Sequence, residues 1–451
     1  MRSRSIFRLL YPVVTFAAVV GCKSGPGASS DGGRGGLGSG GAGAPGSGGG
    51  GVAGGAPGSG GSGGPGGAAA GGSGGAGQST DGGAGSDATD AGTGICVTPA
   101  TPGTCTPLAT PICKLSLTGC MDPPHVTQFV SRAIPYQVNS PLWSDNAAKT
   151  RAFVLPAGGK IHIKDCTSAT STDSCNAGPA DTGKWVFPVG TVFIKNFMFD
   201  GKLVETRLFM HADAATAAQI DNGGEWVGYN YAWNEAQTEA TLVPNQRVAE
   251  TFDTGMRTVT WNFPHWGDCT TCHTPGVDTL GPETDQLNRV VSGANQLDTF
   301  ATMKLFDVPP AKPYPAALLE PYANAALGLT GPPAGQTEAA ARSYLHANCG
   351  YCHRPDVNDV GFDLRFGVSL KDTGMCNLMA QKPATGVTDS TKIFAPGSHT
   401  NSALWIRVQE QVVAGEDPQA SYRMPQIASY VVDTGAAALL AAWIDATKSC
   451  P

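Results

Sequence analysis

The sequence predicts a multidomain fold class: a long disordered tether, then an antiparallel, sandwich-like β domain, then an α-helical region. Glycine dominates residues 23–94, which contain too few large apolar residues to form a core. Residues 136–264 carry β-branched and aromatic runs separated by turns, and Asp200-Gly201 is a hairpin signal. After Pro264, apolar residues recur with helical spacing in 284–306, 337–349 and 435–449.

The N-terminal segment has the pattern of an export signal. Three arginines within the first eight residues precede an apolar run of about a dozen residues, which is too short to span a membrane comfortably. Residues 19–22 read Val-Val-Gly-Cys, which resembles the lipobox of bacterial lipoproteins. The resemblance implies that residues 1–22 are a lipoprotein signal peptide and that Cys22 carries the lipid anchor. An ordinary cleaved signal with a chance cysteine is the alternative.

Composition limits the partners and the number of domains. The net charge is −7 and 14% of the residues are charged, which argues against a nucleic-acid partner because phosphate binding needs a basic patch. About 350 residues follow the tether, enough for two or three domains. The expected units are a cysteine-rich strip at 95–135, the β domain at 136–264, a first helical region at 265–335 and a second at 336–451.

Cysteine usage separates into three groups. Of 13 cysteines, one is Cys22 and four lie in two Cys-x-x-Cys-His motifs. An even number remains, which in an exported chain indicates disulfides. Cys166 and Cys175 flank a polar loop and are expected to close it; two bridges would staple the strip, and Cys376 would pair with Cys450 by elimination. The eight cysteines are Cys96, Cys105, Cys113, Cys120, Cys166, Cys175, Cys376 and Cys450.

The two motifs carry the chemistry of the chain. "CTTCHTP" occupies 269–275 and "CGYCHRP" occupies 349–355. Two thiols at this spacing can bind the vinyl groups of a haem while the following imidazole ligates the iron; a zinc site and a thiol–disulfide site are the rival interpretations. The histidine in both copies, the export signal and the lack of a thioredoxin-like pattern favour haem. We therefore expect two covalently attached haem c groups, on Cys269, Cys272, His273 and on Cys349, Cys352, His353.

The second motif has more context than the first. A helix over 337–348, the motif, Met424 before a proline and a terminal helix over 434–448 together resemble a small class I cytochrome c domain. The resemblance implies that His353 is the proximal ligand of the iron and Met424 the distal ligand. A methionine that merely fills the core is the alternative.

The sixth ligand of the first haem stays open. Met303, in a helical stretch 30 residues after His273, is the first choice. An iron site open to other ligands is also compatible with the sequence. The rivals of Met303 are His265, Met256, His211 and His346.

A wider set of segments resembles a family of exported bacterial di-haem proteins with a β-rich N-terminal region. The segments include "NSPLWSDNAAKTRAFVLPAGGKI", "WVFPVGTVFIKNF", "YAWNEAQTEATLV" and "YLHANCGYCHRP", within roughly residues 136–450. The resemblance implies a β-rich region coupled to two c-type haem motifs. Two haem motifs 80 residues apart in one helical region predict an electron carrier with redox donor and acceptor proteins as partners, and the lipobox-like Cys22 predicts a position at the periplasmic face of a bacterial membrane or at the cell surface. A di-haem redox enzyme of the peroxidase or oxidase type is the alternative, for which no catalytic residue is assigned.

Overall fold

The computed structural model describes most of the chain after residue 95. The described residues are 96–122, 125–175, 178–219, 225–274, 277, 279–357, 360–381, 387–388, 391–411, 423–425 and 429–451. They belong to one compact unit, Ser86–Pro451. The predicted signal peptide, Cys22 and the linker at 23–94 lie outside the described residues. Among the helices that the structure describes, none has the length and apolar character needed to cross a membrane.

The strands are concentrated between residues 121 and 263. In chain order they are β1 (Met121–Asp122), β2 (His125–Phe129), β3 (Ile134–Pro135), β4 (Ala148–Val154), β5 (His162–Ile163), β6 (Trp185–Val186), β7 (Val192–Phe199), β8 (Lys202–His211), β9 (Trp226–Trp233), β10 (Ala240–Leu242), β11 (Val248–Asp253), β12 (Thr258–Phe263), β13 (Val290–Val291), β14 (Ala294–Asn295), β15 (Ala323–Asn324) and β16 (Leu329–Thr330).

The helices are mostly short, and the two longest lie in the C-terminal part of the chain. They are α1 (Ala214–Ala217), α2 (Asp268–Cys272), α3 (Thr284–Leu287), α4 (Gln296–Thr302), α5 (Thr337–Asn348), α6 (Ala403–Gln409) and α7 (Thr434–Ala446). Four 3-10 turns occupy Leu115–Thr118, Gly178–Asp181, Ala325–Leu327 and His399–Asn401.

One six-stranded sheet organises the β-rich region, with the strand order β10-β9-β8-β7-β4-β3. Every pairing in it is antiparallel, which confirms the predicted antiparallel β region. The hairpin between β7 and β8 turns at Asp200 and Gly201, whose φ angles are 51° and 84°. Two positive φ angles match the turn that the right-handed twist of a hairpin favours, so the Asp-Gly signal is confirmed.

Both faces of the sheet are apolar, and different elements cover them. The cysteine-rich strip packs on one face through Leu115 and Met121, against residues such as Ile194 and Leu208. The opposite face packs against helical elements, including Phe300 of α4. Among the described residues the remaining sheets have two strands each, so a second large sheet does not cover the first as in a sandwich. Successive side chains of a strand point to opposite faces of the sheet, so both faces here carry apolar side chains that must be buried. Any apolar element can bury such a face, and a second β-sheet is not required.

The C-terminal helices form a separate core. Residues of α5, α6 and α7 pack together, with Tyr344, Leu440 and Trp443 buried among them. Helix α5 matches the predicted 337–348, and α7 begins at the predicted residue and ends slightly earlier. The stretch 284–306 is not one helix: a tight hairpin between β13 and β14 divides α3 from α4, because Ser292 and Gly293 adopt positive φ angles of 51° and 85°.

Four disulfides confirm the expected pairing groups. Cys166 pairs with Cys175 and Cys376 with Cys450, as predicted. The strip contains the bridges Cys96–Cys113 and Cys105–Cys120. The four motif cysteines are free thiols.

Candidate functional site

The first motif lies directly on the sheet. Helix α2 carries Cys269 over β9 at Gly228, where a side-chain carbon in place of the glycine hydrogen would come within 2.5 Å of Cys269 Sγ. A glycine in the strand therefore lets the helix approach the sheet closely. The side chain of Arg247 donates two hydrogen bonds of 2.9 Å to the carboxylate of Asp268, the first residue of α2. The close approach to β9 at Gly228 and the ion pair between Arg247 and Asp268 together position α2, which carries the first motif.

His273 ends the first motif in a well-defined turn. Its backbone N–H donates to the carbonyl of Cys269 at 2.9 Å. Its ring centroid lies 3.9 Å from that of Phe209, which in turn stacks on Trp226 at 4.9 Å with an interplanar angle of 11°. The imidazole therefore sits beside an aromatic surface that is part of the sheet.

The second motif follows a long helix instead of a strand. The Cys349 N–H continues the hydrogen-bond pattern of α5 by donating to Leu345 at 2.8 Å, and the His353 N–H donates to Cys349 at 2.9 Å. A side-chain carbon on Gly350 would lie 3.0 Å from the carbonyl oxygen of His346 and 3.3 Å from that of Leu364. Glycine is thus required where the motif turns back against its own helix.

His353 lies in a buried environment beside an aromatic ring. It stacks on Phe362, with ring centroids 4.7 Å apart and an interplanar angle of 14°. Its Nδ1 atom is buried and has no hydrogen-bond partner among the described residues. Burial, with the charge of Arg407, lowers the pKa of His353 to about 4. The ring is therefore neutral near pH 7 and offers a lone pair, which is the form that ligates metals.

The two motifs touch each other. The thiol of Cys272 donates a hydrogen bond to Cys352, and Cys352 Sγ lies 3.7 Å from the carbonyl oxygen of Thr271. A single cleft has Cys269, Cys272 and His273 in one wall and Tyr351 of the second motif in another. The cleft encloses about 1580 Å³ of space between atoms, part of it open to solvent.

The thiol environments argue against a thiol–disulfide site. Burial raises the pKa of Cys269 to about 11 and that of Cys349 to about 12. The first cysteine of each motif is therefore a neutral thiol near pH 7. Redox-active thiols require the reverse, a pKa lowered by positive neighbours. The pKa of Cys352 is lowered, but the cause is the hydrogen bond from Cys272 and not a positive charge.

The geometry also disfavours a four-thiolate zinc site. Within the part of the chain that the structure describes, which includes all four motif cysteines, no three of their thiols lie within 4.8 Å of one another. A tetrahedral zinc site with bonds of about 2.3 Å needs all its sulfur atoms closer than that. Of the three interpretations made from the sequence, haem attachment stays a prediction, and it is taken up below as a proposal.

The two methionines predicted as distal ligands, Met424 and Met303, differ in their surroundings. Met424 is partly buried, and its N–H donates to the carbonyl of Arg407, whose charge acts on His353. Met303 is 50% exposed at the end of α4 and does not line the cleft. Its role stays a prediction that no contact in the structure supports.

Among the rivals of Met303, His346 lines the cleft with His273. Met256 is 81% exposed, the Nδ1 atom of His211 is 2.9 Å from the carbonyl of Phe187, and that of His265 accepts from Gly267. His346 comes from α5, so the helix that precedes the second motif also forms a wall of the first motif's cleft.

Glu283 and His346 of this wall form a group with Asp285, and of these three the sequence analysis named only His346, as a rival haem ligand. Glu283, Asp285 and His346 place one ligand atom each within 4.8 Å of one another. His346 Nε2 is 2.5 Å from Glu283, and its Nδ1 accepts from the N–H of Phe366 at 3.0 Å. Burial and the charge of Glu283 raise the pKa of Asp285 to about 7. No sequence motif indicates the group, because His346 lies some 60 residues after Glu283 and Asp285 and meets them only through the fold.

Comparison of the chain with family models, curated proteins and solved structures found no match. The family resemblance therefore stays an expectation, and the function is argued from the site.

Proposed function

We propose that this chain is an exported di-haem c-type cytochrome that transfers electrons. The observation that carries the proposal is the contact between the two Cys-x-x-Cys-His turns, through Cys272 and Cys352. Two separate haem sites would not require such contact. For two sites that exchange electrons, such proximity is favourable, because the rate of electron transfer falls steeply with distance.

The residues present fit two covalently bound haems. Cys269 and Cys272 would hold one haem and Cys349 and Cys352 the other, with His273 and His353 as proximal ligands. The buried, unpartnered Nδ1 of His353 and the glycine cradle beneath Cys269 support this assignment. When bound, haem supplies iron that exchanges single electrons. The chain would anchor the groups, keep the His353 imidazole neutral and bring the two attachment turns together.

Met424 is proposed as the distal ligand of the second haem. The backbone N–H of Met424 donates to the carbonyl of Arg407, which places Met424 next to α6. The charge of the Arg407 side chain acts on His353. A thioether opposite a histidine favours ferrous iron and raises the reduction potential. Such a potential suits exchange with redox donor and acceptor proteins, and the export signal and Cys22 would place that exchange at the periplasmic face of a membrane or at the cell surface.

One observation favours a second candidate function, that of a di-haem redox enzyme. Glu283 and His346 at the wall of the first motif's cleft, with Asp285 grouped beside them, would provide acid–base groups, and burial raises the pKa of Asp285 to about 7. An enzyme would leave the first haem open to a substrate. If His346 is instead the sixth ligand, the first haem is closed and the site serves electron transfer.

The visible spectrum of the matured protein tests both functions. We would produce the chain in a periplasm that matures c-type haem, reduce it with dithionite, and record spectra before and after adding carbon monoxide. A c-type spectrum that carbon monoxide leaves unchanged supports the electron carrier. A change in about half of the haem supports the enzyme, and absence of haem bands refutes both.

Ligand variants would then assign the sixth positions. Replacing His346, Met303 or Met424 by alanine should open one haem to carbon monoxide if that residue is a ligand. The side chain of Met303 is half exposed, so we expect the spectrum of Met303→Ala to match that of the wild type.

A further inference from the structure

The floor of the cleft carries a row of positive charges. Arg151 of β4, Lys195 of β7 and Arg207 of β8 are direct cross-strand neighbours in the sheet. All three line the cleft that contains Cys269 and His273. Like charges directly opposite each other on a sheet are destabilising, so this row needs a reason.

Only one member of the row has a counter-charge. The guanidinium of Arg207 donates to the carboxylate of Glu205 through two bonds of 2.9 and 3.0 Å. In the part of the chain that the structure describes, the side chains of Arg151 and Lys195 form no hydrogen bond or ion pair. Lys195 only approaches the ring of Phe197, at 5.1 Å.

Other charged groups of the cleft are already neutralised. Arg354 binds Asp181 and Asp356, and Arg365 binds Asp181 and Asp363. Lys184, which also lines the cleft, pairs with Asp181 at 3.1 Å. Among the acids, Asp268 binds Arg247 and Glu283 is engaged by His346. Arg151 and Lys195 therefore remain as uncompensated charges facing the space inside the cleft.

The protein environment works against these charges. Burial and the neighbouring charges of Arg151, Lys149 and Arg207 lower the pKa of Lys195 well below its usual value. Partly buried like charges interact more strongly than exposed ones, because less solvent screens them. A bound anion would remove this cost, and a planar guanidinium beside an ammonium group matches carboxylate and oxyanion geometry.

We propose that Arg151 and Lys195 form an anion-binding site for a carboxylate or small oxyanion. Its occupant is a propionate of the haem attached to Cys269 and Cys272, or a free anion that enters the cleft. The first of these sources rests on the proposed function. The second does not, because it requires only the cleft and its two unpaired cations.

The experiment uses the full chain matured in a haem-competent periplasm and two variants, Arg151→Gln and Lys195→Gln. The matched control is Lys202→Gln, which removes a lysine from β8 that donates to the Asp253 carbonyl and does not line the cleft. For each protein we would measure both haem midpoint potentials between pH 5 and 8. We would also measure thermal unfolding in sulfate and in chloride at equal ionic strength.

The two sources give different results. If a haem propionate occupies the site, each variant lowers one midpoint potential, and the pH at which that potential becomes pH-dependent moves upward. If a free anion occupies it, sulfate raises the unfolding temperature of the wild type, and both variants lose this effect.

Agreement of both variants with Lys202→Gln in both measurements would overturn the proposal. Failure of the proposed function is seen separately, as a protein without haem bands. In that case the sulfate measurement still decides whether the anion site exists.

Discussion

The two Cys-x-x-Cys-His motifs make the same local turn on different supports. In each, the histidine N–H donates to the carbonyl of the first cysteine at 2.9 Å, the first cysteine is buried, and the imidazole lies against a phenylalanine ring. The first motif rests on a β-sheet and reaches it over Gly228. The second ends a 12-residue helix and turns against that helix at Gly350.

The motif thus specifies its own turn but not its surroundings. The five-residue turn needs only local hydrogen bonds, whereas each support uses residues far away in sequence. Consequently the second site depends on helix packing, and the first depends on the absence of a side chain at Gly228 of β9. If the motifs bind the proposed haems, substitutions that affect one support should leave haem on the other motif.

Breaking the disulfide Cys376–Cys450 should have the largest effect, and on the second site. The bridge closes a sequence separation of 74 residues and ties the chain beyond α7 to the segment after the second motif. Loop-closure entropy predicts that Cys376→Ala with Cys450→Ala lowers the free energy of unfolding by about 4 kcal/mol. Denaturant unfolding measures this change, and mass spectrometry of haem peptides should show less haem on Cys349 and Cys352.

The control for that prediction is Cys166→Ala with Cys175→Ala. Its bridge spans only 9 residues, and the same relation predicts a loss of about 3 kcal/mol. Haem on the second motif should be unaffected. Equal haem loss in both double variants would mean that the bridge does not specifically support the second site.

Gly350→Ala should disturb the second motif with an intermediate effect on stability. The added methyl group would meet backbone atoms of His346 and Leu364, at 3.0 to 3.3 Å, and backbone cannot rotate away as a side chain can. Crowding of this kind costs about 1–3 kcal/mol. We expect reduced haem on Cys349 and Cys352 and normal haem on the first motif. Thr270→Ala, at the equivalent position of the first motif, is the control, and a result as severe as that of Gly350→Ala would contradict the difference in supports.

Much of the fold could be predicted because it depends on local patterns. The Asp200-Gly201 turn, the strands around it and helix α5 follow from residues close in sequence. The stretch 284–306 shows the limit, since its apolar spacing suits a helix while Ser292-Gly293 forms a hairpin. The cover of the sheet by a disulfide-stapled strip could not be predicted, because both faces are apolar and either a sheet or a strip satisfies them.

The candidate site was predictable only where one segment contains it. Cys269, His273, Cys349 and His353 follow from the motif itself. The charges of Arg151 and Lys195 become neighbours only through strand register, and Glu283 meets His346 only through packing. Met303 was chosen for its distance along the chain, and the structure places it on the surface.

Gly228→Ala should have the smallest effect on stability and a specific effect on the first motif. The new methyl group would lie 2.5 Å from Cys269 Sγ, so the cysteine side chain must rotate or α2 must move off the sheet. Because a side chain can yield more easily than backbone, we expect a loss of about 1 kcal/mol, at the lower end for crowded cores. If a haem is held by Cys272 through one vinyl group, the rotated Cys269 thiol would no longer reach the other vinyl group, so attachment at Cys269 should fall while the second motif stays loaded. Peptide mass spectrometry measures attachment at each cysteine, and Ala232→Gly, elsewhere in β9, is the control for changed strand propensity. Full attachment at Cys269 in Gly228→Ala would show that the sheet does not position the first motif.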